Sequence, residues 1–352
     1  MIIKKISSLV ASIISLLILQ LLFTINSNSE ENNSKYYSSD SGILSLMYHR
    51  FDENRYPSTN IQMDVFKQQM EIIKSLKYNF YNPEDLIKNF DTVKVEKKIL
   101  ITIDDAFSSF YEVAWPYLKK EKIPFILFVS TEAVGKNGYM TWKQIKELEK
   151  YPSAYIGNHS HSHDYLVNLK NDEFINDINI ANKTFIRNIG YNPIFFSYPF
   201  GEYSNFIKDY IIKNFKFSFG QHSGVIDINK DRYELPRFPI NEKYGDLKRF
   251  EFLINLHPFQ YKALYPNDKY LTKNNPPKLS VEFFDEQKNL NNLNCFSDEG
   301  NGWKKSDIYF NKKILNINFR EKFLFRRGRV NCSLNDDGVW RWFGVQFSVK
   351  QN

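Results

Sequence analysis

The sequence predicts an α/β fold, a deformed (β/α) barrel of about seven units followed by a small C-terminal all-β module. From about residue 42 to residue 260, short apolar runs alternate with amphipathic stretches. This alternation indicates a parallel sheet covered by helices, and the number of units favours an open or incomplete barrel over a doubly wound sheet. After residue 274 the residues alternate differently, with turn signals between the runs, which predicts antiparallel strands.

The candidate strands of the barrel are short apolar runs, as buried parallel strands require. They cover residues 42–49, 97–104, 124–130, 153–159, 193–199, 215–221 and 233–240. In the amphipathic stretch 172–189, apolar residues recur at steps of three or four, which places them on one buried face of a helix. The predicted helices are residues 63–76, 109–120, 142–150, 172–189, 205–215 and 246–254.

The domain organisation follows from these patterns. We expect a barrel domain at residues 42–260, a linker at 261–274 and a β-sandwich-like accessory module at 275–352. Tryptophans in the module could form a face that stacks on sugar rings, although a place in the core or on the sheet surface is the favoured interpretation. They are Trp303, Trp340 and Trp342.

The N-terminus has the order of a secretory signal. Two lysines precede an uncharged run from Ile6 to Ile25, and a polar tract follows. The run is near the length that spans a bilayer and no clear cleavage site follows, so an uncleaved membrane anchor is as well supported as a removed signal peptide. We expect residues 1–27 to be this signal or anchor, residues 28–41 to be a polar linker, and the rest of the chain to be exported.

The distribution of charge along the chain argues against nucleic acid as its primary partner. The 352 residues carry a formal net charge of +7, which would suit an acidic partner. However, the basic residues are dispersed and no nucleic-acid-binding motif accompanies them. The hydrophobic content of 42% is enough for a sizeable core.

Two cysteines, Cys295 and Cys332, lie in the predicted β module. In an exported protein such a pair is expected to form one disulfide. A zinc site is excluded because neither cysteine has a Cys or His neighbour at ligand spacing. The pair therefore predicts a covalent link within the module.

Half of the six histidines lie within five residues, at His159, His161 and His163. In an extended strand all three side chains would point the same way, because side chains alternate with period two. In a helical turn only His159 and His163 would share a face. The two geometries form different metal sites, and this stretch alone does not choose between them.

A pair of carboxylates, Asp104 and Asp105, ends one of the candidate strands. A turn or helix cap is the default role for such a pair, but parallel α/β folds place active sites at the carboxyl ends of strands. The histidine cluster also follows a candidate strand. Two imidazoles and one carboxylate form a catalytic zinc set, and the second carboxylate could accept a proton from water.

These stretches resemble the motifs of the metal-dependent polysaccharide deacetylases. Thr102–Ala106 is similar to the family's Thr-Phe-Asp-Asp-Gly motif, His159–His163 to its His-Ser/Thr-x-x-His motif, and Ser197–Gly201 to a strand that ends in Pro-Tyr-Gly. The stretch around His49 resembles the Tyr-His start of many members, and that around Arg237 resembles an arginine-bearing strand. The resemblance covers the predicted barrel and does not reach the C-terminal module.

The resemblance implies a metal site. Asp105, His159 and His163 would hold one divalent ion, with zinc as the expected metal. This choice of the i, i+4 histidines implies that the segment is a helical turn. His161 would then be a bystander, a group behind the ligands or an alternative acid.

The resemblance also implies catalytic roles. Asp104 would be the general base, and Arg237 would pair with it and keep it ionised. The backbone N–H of Phe200 would help to stabilise the tetrahedral oxyanion. The chain departs from the family pattern at Ala106, where glycine is usual, at Ser197, where arginine is frequent, and at Phe200, which replaces tyrosine.

The general acid of the family is a histidine in a late Leu-x-His motif. His257 is the candidate from this motif, although a proline follows it and a predicted helix leads into it. His49 and His222 are the rival candidates. The resemblance leaves these alternatives open.

The implied function is a metal-dependent hydrolase that removes N-acetyl groups from an N-acetylglucosamine polysaccharide outside the cytoplasm, in the periplasm or on the outer face of the membrane. The alternatives are an O-acetyl esterase or small-amide hydrolase of the same fold, and a glycan-binding protein with a decayed site. Retention of both aspartates and both ligand histidines argues against decay. The expected partners are an acetylated glycan and, if the N-terminal segment is uncleaved, the membrane.

Overall fold

The computed structural model describes residues 42–90 and 97–351. The predicted signal or anchor and the polar linker lie outside these residues. Among the helices that are described, none combines the length and the apolar character that crossing a membrane requires.

The barrel is built on a sheet in which every pair of neighbouring strands is parallel. Its strands follow the order β10-β1-β5-β6-β7-β8-β9, and β4 pairs with the start of β5. This sheet confirms the predicted fold class. The strands of this half of the chain are β1 (Ile43–Tyr48), β2 (Arg50–Phe51), β3 (Asn60–Ile61), β4 (Asn79–Phe80), β5 (Lys98–Asp104), β6 (Phe125–Val129), β7 (Ala154–Asn158), β8 (Phe195–Ser197), β9 (Phe217–Phe219) and β10 (Phe238–Pro239).

Helices cover the sheet, and their apolar faces are buried against it. In the longest, Phe174, Ile178, Ala181 and Phe185 are buried as the spacing predicted, and the helix ends at Gly190 with a left-handed φ of 90°. The helices are α1 (Met63–Ser75), α2 (Pro83–Asn89), α3 (Trp115–Glu121), α4 (Trp142–Glu149), α5 (Asn171–Ile189), α6 (Asn205–Asn214) and α7 (Leu247–Ile254). A wider, π-type turn leads into α3.

Two further sheets follow the barrel and pack around a shared apolar core. One has the order β11-β20-β19-β15-β16, with β13 also on β20, and the other has the order β12-β14-β18-β17. Cys295 and Cys332 lie opposite each other on β15 and β19 and form the expected disulfide. The strands are β11 (His257–Pro258), β12 (Ala263–Tyr265), β13 (Tyr270–Leu271), β14 (Leu279–Glu282), β15 (Leu293–Asp298), β16 (Lys304–Lys305), β17 (Asp307–Asn311), β18 (Ile314–Asn318), β19 (Arg327–Asp336) and β20 (Val339–Val349).

The segment 261–274, expected to be a linker, contains the strands β12 and β13. The strand β11, within the residues assigned to the barrel domain, pairs with β20 of the later sheet. The later sheets therefore begin before residue 275. The domain boundaries themselves stay a proposal.

Candidate active site

The candidate site lies at the carboxyl edge of the parallel sheet, in the loops that follow β5, β7 and β8. Left-handed backbone conformations are concentrated there, at Asp105, Ala106, Ser160, His163 and Phe200, with φ between 54° and 75°. For residues other than glycine, such a conformation costs on the order of 1–3 kcal/mol and persists where the surrounding structure holds it in place. The loops are thus strained where the motif side chains meet.

The predicted metal ligands come together at this edge. Donor atoms of Asp105, His159 and His163 all lie within 4.8 Å of one another. Oδ1 of Asp105 is 3.5 Å from Nε2 of His159 and 3.1 Å from Nε2 of His163. Oδ1 of Asp105 and Nε2 of His159 are both buried, and neither meets the criteria for a hydrogen bond to a described residue. Because buried polar atoms are rarely left unsatisfied, this donor set fits a metal cation.

His159 is oriented by its other ring nitrogen. Its Nδ1 lies 2.7 Å from the carbonyl oxygen of Ser197, which can only accept a hydrogen bond. Nδ1 therefore carries the proton, and Nε2 faces the cluster with its lone pair. Burial lowers the pKa of His159 to about 4, so the imidazole is neutral at neutral pH, as metal binding requires.

The second carboxylate, Asp104, is held by Arg237. The guanidinium donates from Nη1 to Oδ1 at 2.7 Å and from Nη2 to Oδ2 at 2.8 Å, and both side chains are fully buried. Burial alone would raise the pKa of Asp104, but the charge of Arg237, its hydrogen bonds and the nearby histidines together outweigh this effect and lower the pKa below the ordinary value. A carboxylate held in this way stays ionised and can act as a base.

Ser197 supports both parts of the site. Its carbonyl oxygen orients His159, and its Oγ accepts a hydrogen bond of 2.8 Å from Arg237. The Nε of Arg237 also donates to the carbonyl oxygen of Gly220, at 2.9 Å. Serine at this position thus anchors the one arginine that reaches Asp104 among the described residues.

A cavity of about 750 Å³ opens above these groups. Its barrel side includes His49, Asp105 and His163, and its opposite wall comes from the C-terminal sheets and includes Trp303 and Arg329. A volume in this range suits an oligosaccharide segment or a molecule of similar size. The reactive groups therefore face a space that two parts of the chain enclose.

Comparison with known proteins agrees with this geometry. Residues 92–217 match the family model described as polysaccharide deacetylase. This part of the chain is similar to polysaccharide deacetylases. The Staphylococcus aureus poly-β-1,6-N-acetyl-D-glucosamine N-deacetylase is 24% identical over 273 residues, which are 68% of this chain and 94% of that protein.

Solved structures of deacetylases share the fold. The Streptococcus pyogenes deacetylase PplD, determined with acetate, is 23% identical and covers 61% of this chain and 99% of its own, with a TM-score of 0.56. IcaB from Ammonifex degensii is 24% identical and covers 60% of this chain and 97% of its own, with a TM-score of 0.53. At these sequence identities, the similarity shows a shared fold and nothing further.

The structure separates the three candidates for the general acid. His49 and His222 line the cavity, and His49 is near enough to interact electrostatically with both Asp104 and Asp105. His257 lies on β11, where it pairs with Arg341 of β20, and it is absent from the cavity lining. The candidate from the late motif is therefore not brought to the site. His222 is the weaker rival, because burial lowers its pKa to about 4.

The expectation of a helical turn at the histidine cluster is wrong. His159 directly follows β7, and the chain then forms an irregular loop in which Ser160 and His163 are left-handed. The buried carboxylate of Asp177 on α5 holds this loop by accepting hydrogen bonds of 2.9 Å from the N–H groups of His161 and Ser162. Side-chain acceptors, rather than helical hydrogen bonds, satisfy the backbone here.

His161 does not join the ligand atoms. Its Nδ1 lies 2.8 Å from Oγ1 of Thr131, on the loop after β6. This contact agrees with the interpretation of His161 as a bystander, which stays a prediction. Asp177, in contrast, was not singled out, although an aspartate on the apolar face of a predicted helix is a signal that could have identified it.

The aromatic side chain of Phe200 packs at the rim of the ligand cluster. Its ring centre is 4.7 Å from that of His163 and 4.2 Å from that of Tyr165. Gln346 on β20 donates hydrogen bonds to the carbonyl oxygens of Phe200 (2.9 Å) and Gly201 (3.1 Å). The C-terminal sheet thus holds the loop whose N–H was predicted to face the oxyanion, and no local sequence pattern could have indicated this contact.

Proposed function

We propose that the protein is an exported, metal-dependent N-deacetylase that acts on a polysaccharide containing N-acetylglucosamine and releases acetate. The observation that carries the proposal is the cluster of three ligand atoms, two of them buried and unsatisfied, beside a carboxylate that is paired with arginine. The likeness to the Staphylococcus aureus poly-β-1,6-N-acetyl-D-glucosamine N-deacetylase supports the choice of an N-acetyl substrate.

The proposed ligands are Asp105, His159 and His163. A divalent ion held by them, zinc as the expected one, would supply Lewis-acid chemistry to the acetyl carbonyl and to the attacking water. The three residues fit a catalytic metal site, because three protein ligands leave a coordination position open. His159 also has the oriented, neutral imidazole that such a site requires.

The remaining chemistry is assigned to the side chains of this chain. Asp104 takes the proton of the water whose oxygen bonds to the acetyl carbon, and Arg237 keeps Asp104 ionised until that step. The N–H of Phe200 donates to the oxygen that becomes negative. His49 then gives a proton to the sugar nitrogen as the carbon–nitrogen bond breaks, which leaves acetate and an amine.

Export is proposed from the sequence. The uncharged run from Ile6 to Ile25 after two lysines supports translocation of everything that follows. A periplasmic or outer-surface location would bring the enzyme to a cell-envelope or secreted glycan. A protease-accessibility assay on intact cells tests this part separately.

The central test is acetate release by the full chain from β-1,6-linked and β-1,4-linked N-acetylglucosamine oligomers. We expect release to stop after chelation and to return when zinc or cobalt is restored. Asp104→Asn should abolish release without removing the metal, whereas Asp64→Asn, at an exposed position on α1, is the matched control. Release from O-acetylated glycan alone would indicate an esterase. Binding of oligomers without release by any metal form would indicate a glycan-binding protein.

A further inference from the structure

Three guanidinium groups line the candidate active-site cavity. Arg249 comes from α7, and Arg327 and Arg329 come from β19 of the C-terminal sheet. Asp105 is the one carboxylate among the lining residues, and it belongs to the proposed ligand set. The cavity therefore has an excess of positive charge that the deacetylation chemistry does not require.

Arg329 forms no ion pair with a described residue, although the carboxylates of Asp298 and Glu202 attract it from farther away. Its Nε donates to Oε1 of Gln346 at 3.0 Å, which leaves both terminal nitrogens for another acceptor. Arg249 likewise forms no ion pair with a described residue, and its Nη1 donates to the carbonyl oxygen of Tyr244. Burial lowers the pKa of Arg249 and Arg329 below the usual arginine value, so each holds its charge partly away from water.

Arg327 is partly engaged elsewhere. Its Nε is 3.8 Å from the buried carboxylate of Glu202, which also lies 3.5 Å from Arg326. One carboxylate thus faces two guanidiniums, and it does not line the cavity. Glu202 offsets part of the charge of Arg327 and also attracts Arg329 from farther away, whereas Arg249 is not among the groups it acts on.

Other arginines of the C-terminal sheets are paired within the fold. Arg320 pairs with Glu299, and Arg341 pairs with Asp336 at 2.9 Å. These two show how this part of the chain satisfies a guanidinium whose role is structural. Arg249 and Arg329 differ from them, because the space in front of their charge is the cavity.

Arg327 lies close to the reacting groups. The guanidinium carbon of Arg327 is 5.8 Å from the ring centre of Phe200, and that ring is 4.7 Å from the ring of His163. Trp303 and Trp342 line the same wall and offer flat apolar surface for a sugar ring. An extended glycan whose acetyl group reaches the ligand cluster would pass along this wall.

We propose that Arg249, Arg327 and Arg329 form an anion-binding subsite, and that the substrate is a polysaccharide that carries a carboxylate or phosphate group near the acetylated sugar. Guanidinium groups match the oxygen geometry of both anions and form the strong class of charged hydrogen bonds. The identity of this substrate rests on the proposed deacetylase function. The subsite itself is a binding property that can be measured without turnover.

The test compares three oligosaccharides with the metal-loaded full chain. They are a neutral N-acetylglucosamine tetramer, a tetrasaccharide of alternating N-acetylglucosamine and N-acetylmuramic acid, and an N-acetylglucosamine tetramer that carries phosphate esters. Acetate release gives kcat/KM, and calorimetry on Asp104→Asn protein gives Kd without turnover. The variants are Arg329→Gln and Arg249→Gln, with Arg187→Gln on the exposed face of α5 as the matched control.

We expect at least one anionic oligosaccharide to exceed the neutral one by about tenfold in kcat/KM and in affinity, equivalent to about 1.4 kcal/mol. Arg329→Gln and Arg249→Gln should each reduce this ratio, while Arg187→Gln keeps it, and added salt should also reduce it. The anionic oligosaccharide that has the higher kcat/KM and affinity shows whether the subsite recognises a carboxylate or a phosphate. The subsite would be overturned if the ratio of anionic to neutral kcat/KM were the same in the wild type and both variants. It would also be overturned if the variants lost kcat/KM equally on all three oligosaccharides.

A failure of the proposed function has a different signature. If no oligosaccharide releases acetate but the anionic ones bind more tightly, and Arg329→Gln removes that difference, the subsite stands and the deacetylase assignment falls. If acetate is released equally from neutral and anionic oligosaccharides, the deacetylase assignment stands and the subsite falls. If Arg329→Lys partly restored the preference for the anionic oligosaccharide, the charge of Arg329 would be what recognises the anion. A residue that only orients Gln346 would not be replaced by lysine in this way.

Discussion

The two sides of the cavity are built in different ways. On the barrel side, Asp104 and Arg237 are fully buried and joined by two hydrogen bonds, and His159 is fixed by the carbonyl of Ser197. On the side of the C-terminal sheets, Trp303 is 39% exposed, and the side chain of Arg329 has a single hydrogen bond to a described residue, Gln346. The barrel side is therefore rigidly determined, and the sheet side presents groups that are still available to a ligand.

This difference suggests that the barrel side serves catalysis and that the sheet side serves substrate discrimination. Catalysis requires a geometry held to within a fraction of an ångström, which buried and mutually paired groups can provide. Discrimination among glycans requires contacts that differ from one substrate to another, which an exposed wall can provide without disturbing the chemistry. Substitutions on the barrel side should then affect metal binding and stability, and those on the wall should affect the choice of substrate.

The largest expected effect is loss of the metal from the barrel side. His163→Ala should reduce bound zinc and acetate release to background, because the remaining two ligands no longer form a three-ligand site. His161→Ala should keep the zinc and lose about 1 kcal/mol of stability, the worth of one hydrogen bond to Thr131. Metal analysis of the purified proteins checks both variants. Equal loss of zinc in the two would contradict the ligand assignment.

The next largest effect concerns the buried pair. Arg237→Gln should lower the free energy of unfolding by about 3–5 kcal/mol, because it leaves the carboxylate of Asp104 buried and unpaired. Urea unfolding in the presence of a chelator measures this without a contribution from the metal. The matched control is Arg187→Gln, an exposed position on α5. If Arg237→Gln were no more destabilising than the control, the barrel side would not be rigidly determined.

Removal of the disulfide perturbs the C-terminal sheets without changing the barrel side. Replacing Cys295 and Cys332 together by alanine opens a loop with a sequence separation of 37, which should cost about 4 kcal/mol in the chain-entropy model. Zinc binding at 25 °C should persist, because no ligand comes from β15 or β19. Unfolding curves and zinc titrations on the same preparation separate the two properties. Loss of zinc from a folded double variant would show that the two sides are not independent.

The fold of the barrel could be predicted because its signals are local. Short apolar runs and apolar steps of three or four residues indicate strands and helices within a few turns of chain. The helix α2 was missed, although Asn82 and Pro83 form a recognisable start: the Asn82 side chain accepts from the N–H of Glu84. The shape of the histidine loop was predicted wrongly, because two ligands four residues apart can meet without a helix when Ser160 is left-handed.

The wall could not be predicted in the same way. The contact of Gln346 with Phe200 joins residues 146 positions apart, and nothing in either stretch indicates the other. The resemblance to a known family also ended before the C-terminal sheets. Only the folded chain brings Arg329 to the same cavity as His163.

Glu202 connects the two sides of the cavity. Its buried carboxylate leads us to expect that stability depends on pH. It follows the Phe200 loop, is fully buried, and faces Arg326 and Arg327 of the wall. Burial raises its pKa from 4.5 to about 6, although both arginines act against this shift. The folded protein therefore binds the proton more readily than the unfolded chain does. The associated stability is fully present below pH 4.5 and is lost as the pH rises through 6.

The expected size of this effect is about 2 kcal/mol, because one unit of pKa corresponds to 1.36 kcal/mol. Between pH 4.5 and pH 7, the wild type should lose about that much more free energy of unfolding than Glu202→Gln, measured in urea with a chelator present. Glu286→Gln, at an exposed position, should behave as the wild type does. If Glu202→Gln also matched the wild type, the arginines would fully compensate the buried carboxylate. Arg327 would then be committed to the fold, and only Arg249 and Arg329 would remain to meet an anionic glycan.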